Sequence, residues 1–237
     1  MSGHSKWATI KRQKGVADSK RSQVFTKLAK AITVAARGGP DQDMNPRLRM
    51  AIDKARSLSM PKDNIERAIL KGSGGEDGAQ IEEIRYEAYG PGGVALLIDV
   101  VTDNRNRAAS EIRHLVEHVG GRMAEIGSVG WMFNTKGVIH FPTPTNKDEL
   151  ELELIEAGAD DIEEHEGELS VTSEPSAFES VKKILAAHKL EPSYLAIEPL
   201  AKTTTTPPDE HAAAKLNELR EALDANDDVS NIYDNEA

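Results

Sequence analysis

A glycine-rich stretch, GSGGEDG at residues 72–78, separates two parts of the sequence that differ in periodicity. Before it, apolar residues recur every three or four positions, which is the period of an amphipathic α-helix. After it, short runs rich in valine, isoleucine and tyrosine alternate with helical segments, which is the pattern of mixed α and β structure. The stretch itself has the composition of a flexible linker. The 237 residues are therefore expected to form two or three domains.

The net charge changes sign at the same glycine-rich stretch. Residues 1–72 contain 16 Lys and Arg against 6 Asp and Glu, a net charge of +10. Residues 73–237 contain 13 against 34, a net charge of −21, so that the whole chain carries −11. A basic end on an acidic protein favours a polyanionic partner, nucleic acid above all. A solvated basic domain without a partner is the alternative.

Three helices are predicted before the linker. The first runs from Ser22 to Arg37 and has one apolar and one cationic stripe. Its apolar residues are Phe25, Leu28, Ile32 and Ala35, and its cations are Lys20, Lys27, Lys30 and Arg37. The second begins at Asn45-Pro46, an N-cap residue followed by the proline that suits the first helical position, and should bury Leu48, Ile52, Ala55 and Leu58. The third begins at Pro61, and the three together predict a small bundle.

The part after the linker reads as two α/β units. IRYEAYG and GVALLIDVV predict two strands joined at Gly90–Gly93, followed by a helix from about Asn106 to Val119 and a strand over Ser128–Phe133. From Gly137 the order is β-α-β-β-α-β, the ferredoxin-like signature. A last helix near 210–225 and the strand-like VSNIY lack partners of their own.

Joining these last elements to the incomplete first unit gives the most economical fold. The predicted fold is α+β, with an N-terminal three-helix domain and two α/β domains, the third inserted in the second. The predicted boundaries are 1–75 for the basic helical domain, 79–130 plus 201–237 for a discontinuous α/β domain, and 131–200 for the ferredoxin-like inserted domain.

Two basic stretches are the candidate nucleic-acid-binding sites, because Lys and Arg neutralise phosphates and release counterions. One is the N-terminal arm with the first helix, where Trp7 could stack on a base or pack on the bundle. The other is TDNRNRA at 102–108, where capping plus solvated arginines is the alternative. The predicted binding residues are Lys6, Trp7, Lys11, Arg12, Lys14, Lys20, Arg21, Lys27, Lys30, Arg37, Arg105 and Arg107.

Several other classes of protein and site are disfavoured. The chain has no cysteine, which excludes disulfides, thiolate zinc sites and cysteine nucleophiles and fits a reducing cytoplasm, the expected location. No run of 18 apolar residues exists, so no membrane association is expected. The N-terminus lacks the apolar core of a secretory signal, although a basic, acid-poor start could imitate a mitochondrial transit peptide.

Metal and phosphate motifs in the sequence are weak. His114, Glu117 and His118 match the inverted zincin pattern, which leaves a zinc hydrolase as the enzyme alternative. Residues 41–52 imitate the start of an EF-hand loop, but Pro46 replaces its glycine and Ile52 its glutamate. Gly90–Gly93 lacks the Lys-Ser/Thr of a P-loop and is interpreted as a tight turn. We therefore predict no catalytic residue, no metal, no cofactor and no small-molecule substrate.

Four longer segments carry a family resemblance. They are GHSKWATIKRQKGVADSKRSQVFTKLAKAI, NPRLRMAIDKARSLSMPKDNIERAI, YEAYGPGGVALLIDVVTDNRNRAASEIRH and GSVGWMF. Together they resemble the YebC/PmpR family, which includes the mitochondrial translational activator of cytochrome c oxidase. The resemblance covers essentially the whole chain and implies the same three-domain plan. The matching positions include Gly3–Trp7 and Asn104–Arg107.

The resemblance implies a non-enzymatic regulator of gene expression but leaves its target open. Members are described as transcriptional regulators that bind promoter DNA, or as factors that help ribosomes through difficult stretches such as consecutive prolines. The thin arm and acidic body favour folded RNA, that is rRNA or tRNA on the ribosome, slightly over duplex DNA. A module that binds basic proteins through its acidic body is the remaining alternative. A monomer is favoured over an oligomer.

Overall fold

The computed structural model describes residues 21–74 and 81–237, with the backbone alone at Arg21. The fold of these described residues is α+β: three helices precede two four-stranded antiparallel sheets with their helices. The elements are α1 Arg21–Ala36, α2 Pro46–Ser57, α3 Lys62–Gly72, β1 Glu82–Tyr89, β2 Ala95–Thr102, α4 Arg105–His118, β3 Arg122–Ala124, β4 Phe133–Pro142, α5 Lys147–Glu156, β5 Ala159–His165, β6 Glu168–Ser173, α6 Phe178–Ala187, β7 Tyr194–Ala201, α7 Glu210–Asp224 and β8 Val229–Asp234.

The three helices pack around one apolar core, as the helical spacing predicts. Its buried members include Leu28, Ile32, Leu48, Ile52 and Ile65. The predicted cap of α2 is confirmed, because the Asn45 side chain accepts a hydrogen bond from the backbone N–H of Leu48 at 3.1 Å. The prediction for Leu58 is wrong: it follows the last turn of α2 and is 45% exposed.

One glycine sets how closely two of these helices approach. A Cβ added at Gly72 would lie 2.1 Å from the backbone oxygen of Thr33, in the last turn of α1. The hydroxyl of Thr33 also donates to the carbonyl of Ala68 at 3.2 Å. The end of α3 therefore rests directly on α1, and only glycine fits at this contact.

The first sheet has the strand order β3-β1-β2-β8, with helices α4 and α7 on its apolar face. β1 and β2 form a hairpin whose turn contains Gly92 and Gly93 with φ values of 75° and 80°. The tight-turn interpretation of Gly90–Gly93 is thus confirmed. A Cβ at Gly92 would meet Pro208 at 2.9 Å, so the close approach there is to the same chain.

The second sheet has the strand order β5-β6-β4-β7, and its elements follow one another as β-α-β-β-α-β. Helices α5 and α6 pack on one face, around a core that includes Ile139, Phe141, Leu150, Leu154 and Phe178. Residues 131–203, which contain this sheet, lie between β3 and β8 of the first sheet in the sequence. The described residues group into two compact units, 131–203 on one hand and 21–130 with 204–237 on the other.

The strand predicted over Ser128–Phe133 is wrong. Gly130–Met132 forms a short 3-10 turn, and β4 begins only at Phe133. The cause is the buried carboxylate of Glu87, which accepts hydrogen bonds from the backbone N–H groups of Gly127, Val129 and Gly130 at 2.6–3.0 Å. Amides bound to a carboxylate cannot pair with a neighbouring strand.

Candidate nucleic-acid interface

Half of the predicted binding residues lie outside the described residues. They are Lys6, Trp7, Lys11, Arg12, Lys14 and Lys20, and they stay predictions. Arg21 begins α1, and only its backbone is described. The side chains that the structure places are Lys27, Lys30, Arg37, Arg105 and Arg107.

Three side chains on one face of α1 contact the end of α7 and the short segment that follows it. Gln23 donates to the carbonyl of Ala225 at 3.3 Å, Lys27 to that of Asp224 at 2.7 Å, and Lys30 to that of Asp227 at 2.8 Å. The last carbonyls of a helix lack partners within it and carry partial negative charge. The predicted cationic stripe of α1 therefore also acts as the C-terminal cap of another helix and fixes the helical domain to the first sheet's domain.

The carboxylate of Asp228 forms ion pairs with one cation from each of the two predicted basic stretches. Its residue is 5% exposed, and its two oxygens accept from Lys30 Nζ at 2.5 Å, Thr102 Oγ1 at 2.8 Å and Arg107 Nη2 at 3.0 Å. Lys30 lies on α1, whereas Arg107 lies in the first turn of α4. One carboxylate thus brings the helical domain and the TDNRNRA stretch together.

The pKa of Asp228 reflects this environment. Burial alone would raise it, since a buried carboxylate is harder to charge. Hydrogen bonds from Lys30, Thr102 and Arg107, with the positive charge of Lys30, outweigh burial and hold the pKa of Asp228 below its ordinary value. The carboxylate is therefore ionised at neutral pH and neutralises part of the cationic cluster.

The start of α4 presents a second set of donors. Asn104 is the N-cap and accepts from the backbone N–H of Arg107 at 3.0 Å, which confirms the predicted capping role. The Arg107 guanidinium also pairs with Asp103 at 2.8 Å, and its two carboxylate partners, Asp228 before Asp103, raise its pKa. Even so, 46% of the Arg107 side-chain surface stays exposed.

Arg37 and Arg105 differ from the cations at Asp228. Both are exposed, Arg37 just after the end of α1 and Arg105 at the first position of α4. Neither makes an ion pair with a residue of 21–74 or 81–237. Their guanidinium groups can each offer several N–H donors to phosphate oxygens without breaking an ion pair within residues 21–74 and 81–237.

The described helical residues keep a basic balance. Residues 21–74 contain 11 Lys and Arg against 5 Asp and Glu, a net charge of +6. Residues 81–130 with 204–237 contain 7 against 17, and residues 131–203 contain 6 against 15. Positive charge is thus concentrated in the helical domain even without the N-terminal arm.

The zinc alternative finds no support in the described geometry. The rings of His114 and His118 have centroids 6.0 Å apart on the exposed side of α4. In the part of the chain that the structure describes, no three His, Cys, Asp or Glu side chains form a group that could hold a metal ion. In the same part, no helix has the length and apolar character needed to cross a membrane.

Sequence reasoning missed the residues that position the cations. Asp228 accepts hydrogen bonds from the predicted binding residues Lys30 and Arg107. Thr102 donates to the same carboxylate, and Gln23 donates to the carbonyl of Ala225, next to the contact of Lys27. Asp228 lies 198 residues from Lys30, so local sequence patterns carry no signal for their contact. The prediction that the C-terminal helix and strand join the first α/β unit places Asp228 in the same domain as Arg107, but it makes no statement about Lys30.

Comparison with known proteins identifies the family. Residues 5–75 match the "TACO1/YebC protein N-terminal domain" model, and residues 81–236 match the "TACO1/YebC second and third domain" model. A "Probable transcriptional regulatory protein" of Geotalea uraniireducens is 48% identical over 236 residues, which cover 99% of this chain and 95% of that protein. One of the same description from Treponema pallidum is 49% identical over 237 residues, with coverage of 99% and 96%.

A solved structure agrees with the fold. The crystal structure of a conserved hypothetical protein, Aq1575 from Aquifex aeolicus, superposes with a TM-score of 0.83 at 39% identity. The match covers 93% of this chain and 91% of that one. With both family models matched along nearly the full length, the predicted resemblance is confirmed, and the chain belongs to the TACO1/YebC family.

Proposed function

We propose that this chain is a non-enzymatic, nucleic-acid-binding regulator of gene expression. The observation that carries the proposal is the meeting of the two predicted basic stretches at Asp228, which fixes α1 and the start of α4 side by side. The relatives named probable transcriptional regulatory proteins support a regulatory role. The fold would then consist of a basic domain of residues 1–75, an α/β domain of 79–130 plus 201–237, and a ferredoxin-like domain of 131–200 inserted in it.

In this proposal, the described cations have two different roles. Arg37, Arg105 and the exposed part of Arg107 contact phosphates, together with the N-terminal arm. Lys27 and Lys30 act mainly as positioning residues, because their ammonium groups already contact α7 and Asp228. Phosphate contacts of this kind give affinity and register without sequence information, so specificity must come from the shape of the target.

Folded RNA, such as rRNA or tRNA on the ribosome, is the target that we favour over promoter DNA. Residues 131–203 carry a net charge of −9, which opposes close contact with a long, uniformly charged duplex. Folded RNA instead offers recesses and unstacked bases to a thin basic arm, with Trp7 available for stacking. A role in translation through consecutive prolines is one form of this proposal, and promoter binding is the other.

A salt-dependence measurement tests the proposal. Arg37→Glu combined with Arg105→Glu removes two exposed cations, and Lys11, Arg12 and Lys14→Glu removes three from the arm. Each lost phosphate contact should flatten the slope of log K against log salt by about 0.9 on duplex DNA and about 0.7 on single strands. Affinity should be measured by fluorescence anisotropy on a structured RNA and on a duplex of equal length.

The matched control reverses two lysines of α6. Lys182→Glu combined with Lys183→Glu changes the net charge of the chain by the same amount as the double arginine variant, within the acidic residues 131–203. It should leave the slope unchanged. The proposed interface would be contradicted if the slope of log K against log salt were the same for the wild type, the Arg37 and Arg105 variant, the arm variant and the Lys182 and Lys183 control.

A further inference from the structure

Acidic residues are concentrated on one side of the unit 131–203. Eleven of its 15 Asp and Glu lie between residues 147 and 168, which contain Lys147 as their only Lys or Arg. This segment comprises α5, β5 and the start of β6. The other edge of the sheet, β7, contains one carboxylate, Glu198. The negative charge is therefore concentrated on α5 and at the β5 edge of the sheet, and α5 also exposes apolar side chains.

Helix α5 exposes apolar side chains on its outer face. Its sequence KDELELELIE alternates, whereas a helix that buries a single stripe repeats about every 3.6 residues. Leu150 and Leu154 are fully buried against the sheet, while Leu152 is 65% and Ile155 57% exposed. Because Leu152 and Ile155 are three positions apart, they are neighbours on the helix surface. Nothing in the packing of residues 131–203 explains two large apolar side chains at this position.

The carboxylates of α5 fall into two groups. Glu151 lies 3.6 Å from Lys147 and Glu153 lies 2.9 Å from His188, so these two have partners within the protein. Asp148, Glu149 and Glu156 are exposed, and none of them forms an ion pair with a side chain in residues 21–74 or 81–237. At 100° per residue, Asp148 lies between Leu152 and Ile155 around the helix axis, and Glu149 and Glu156 lie together on the other side of Leu152.

We propose that the α5 face, defined as Asp148, Glu149, Leu152, Ile155 and Glu156, binds a basic protein segment that presents apolar side chains between its cations. The two exposed apolar residues supply the area that a partner buries, and the surrounding carboxylates select for Lys and Arg. Nucleic acid and anionic membranes are both repelled by the same carboxylates. A second copy of this chain that docked through the same face would bring two acidic faces together, which costs rather than gains energy.

The first test titrates the full-length protein with a defined peptide. The probe is an 18-residue amphipathic peptide of lysine and leucine with helical spacing, and the comparison is a scrambled peptide of the same composition without an apolar face. Leu152→Ser combined with Ile155→Ser should weaken binding of the amphipathic peptide about tenfold or more, as expected for central apolar contacts. Glu149→Gln combined with Glu156→Gln should weaken it at low salt and have little effect at high salt.

The matched control is Ile197→Ser on β7, an apolar residue with 46% exposure in the same unit. It should leave the affinity unchanged. Any of three results would overturn the proposal. The double variant at Leu152 and Ile155 could bind with wild-type affinity, or Ile197→Ser could lose as much affinity as that variant. The scrambled peptide could also bind as tightly as the amphipathic one. Because all of these residues are exposed, every variant should have the same thermal unfolding midpoint as the wild type. A change in peptide affinity then reports on binding and not on stability.

A second test identifies the partner class in cells. A photo-crosslinking amino acid is placed at position 152 and, as a control, at position 197. The proposal is supported if position 152, but not position 197, crosslinks to a protein of net positive charge. The purified form of that protein should then bind the Leu152 and Ile155 variant more weakly than the wild type. Crosslinks to RNA, lipid or another copy of the chain, or none above the control, overturn it. Nucleic-acid affinity should be unaffected throughout, so this proposal and the proposed function fail separately.

Discussion

Two buried ionic clusters in the same compact unit hold very different parts of the chain together. Arg220 on α7 is 3% exposed and pairs with Asp234 through Nε at 2.9 Å and with Glu236 through Nη1 at 2.5 Å. All three residues lie within 17 positions of one another. Asp228, in contrast, joins residues of α1, β2 and α4 that lie up to 198 positions away. The first cluster strengthens a local pair of elements, and the second sets how two domains meet.

In these two clusters, depth of burial and a predicted role in binding do not coincide. The Arg220 cluster is the more completely removed from water, yet none of its members was a predicted binding residue. The Asp228 cluster keeps Arg107 partly exposed and contains two of the predicted binding residues. We therefore expect the first cluster to affect mainly stability and the second to affect nucleic-acid binding as well.

The largest expected effect is that of Arg220→Met. The change leaves the carboxylates of Asp234 and Glu236 without their buried cation, which should lower the free energy of unfolding by about 3–5 kcal/mol. Urea unfolding followed by circular dichroism measures it. Below the transition, nucleic-acid affinity should match that of the wild type. A destabilisation under 1 kcal/mol, roughly the worth of a surface pair, would show that the cluster is not a structural link.

Asp228→Asn should have a smaller effect on stability and an effect of opposite sign on binding. Loss of the ionised partner of Lys30 and Thr102 should cost about 1–3 kcal/mol of unfolding free energy. Removing the negative charge should also tighten nucleic-acid binding and steepen its salt dependence, because more cationic charge faces the phosphates. Asp227→Asn, an exposed neighbour whose carbonyl contacts Lys30, is the control. Weaker binding in Asp228→Asn would mean that ordering of Arg107 matters more than charge.

Two buried carboxylates, Asp228 and Glu87, should make the free energy of unfolding fall at acidic pH. The pKa of Asp228 is lowered as described, and that of Glu87 is lowered because hydrogen bonds from Val129, Gly127 and Gly130 outweigh burial, which alone would raise it. A carboxylate with a depressed folded pKa contributes stability that is complete above its unfolded pKa, about 4. That stability is lost as pH falls through the folded pKa, because the unfolded state binds more protons there.

The measurement is the urea midpoint between pH 7 and pH 3. The wild type should lose stability as pH falls, and Glu87→Gln and Asp228→Asn should each lose less, since neither amide titrates. A matched control is Glu83→Gln, whose side chain is 44% exposed. Parallel pH profiles for wild type and the two variants at buried positions would contradict the stated origin of the shifts.

The smallest expected effect is that of an exposed pair on α3. Lys62 and Glu66 are 3.3 Å apart, with 85% and 56% of their side-chain surfaces exposed. Water and salt screen such a pair, so Lys62→Gln should leave the urea midpoint within experimental error. A shift comparable to that of Asp228→Asn would mean that distance rather than burial controls these interactions.

Much of the fold could be predicted, because it depends on local patterns. The apolar spacing of α1, the Asn45-Pro46 start of α2 and the glycine turn after β1 each specify a conformation within a few residues. Counting elements without partners also predicted that the C-terminal strand completes the first sheet, and β8 does pair with β2. The strand expected near Ser128 failed because Glu87, about 40 residues away, binds those amides.

The candidate site was less accessible to prediction. Lys30 and Arg107 could be named as cations, since a stripe and a capped helix start are visible in the sequence. Their common carboxylate could not, because nothing near Asp228 distinguishes it from Asp224 or Asp227. The exposure of Leu152 and Ile155 was missed for the opposite reason: alternating Leu and Glu on α5 provide two apolar faces, and only the packed structure shows which one is buried.

The contact between α1 and the segment that follows α7 has a consequence for the newly made chain. Lys30 precedes its partner Asp227 by 197 residues, so a ribosome adding about 5–20 residues per second makes that partner about 10–40 s later. Throughout this interval, the helical domain can fold on its own core while its lysines face water. During synthesis, therefore, the most cationic form of the protein exists beside the ribosome, and completion of the acidic C-terminal elements lowers that charge.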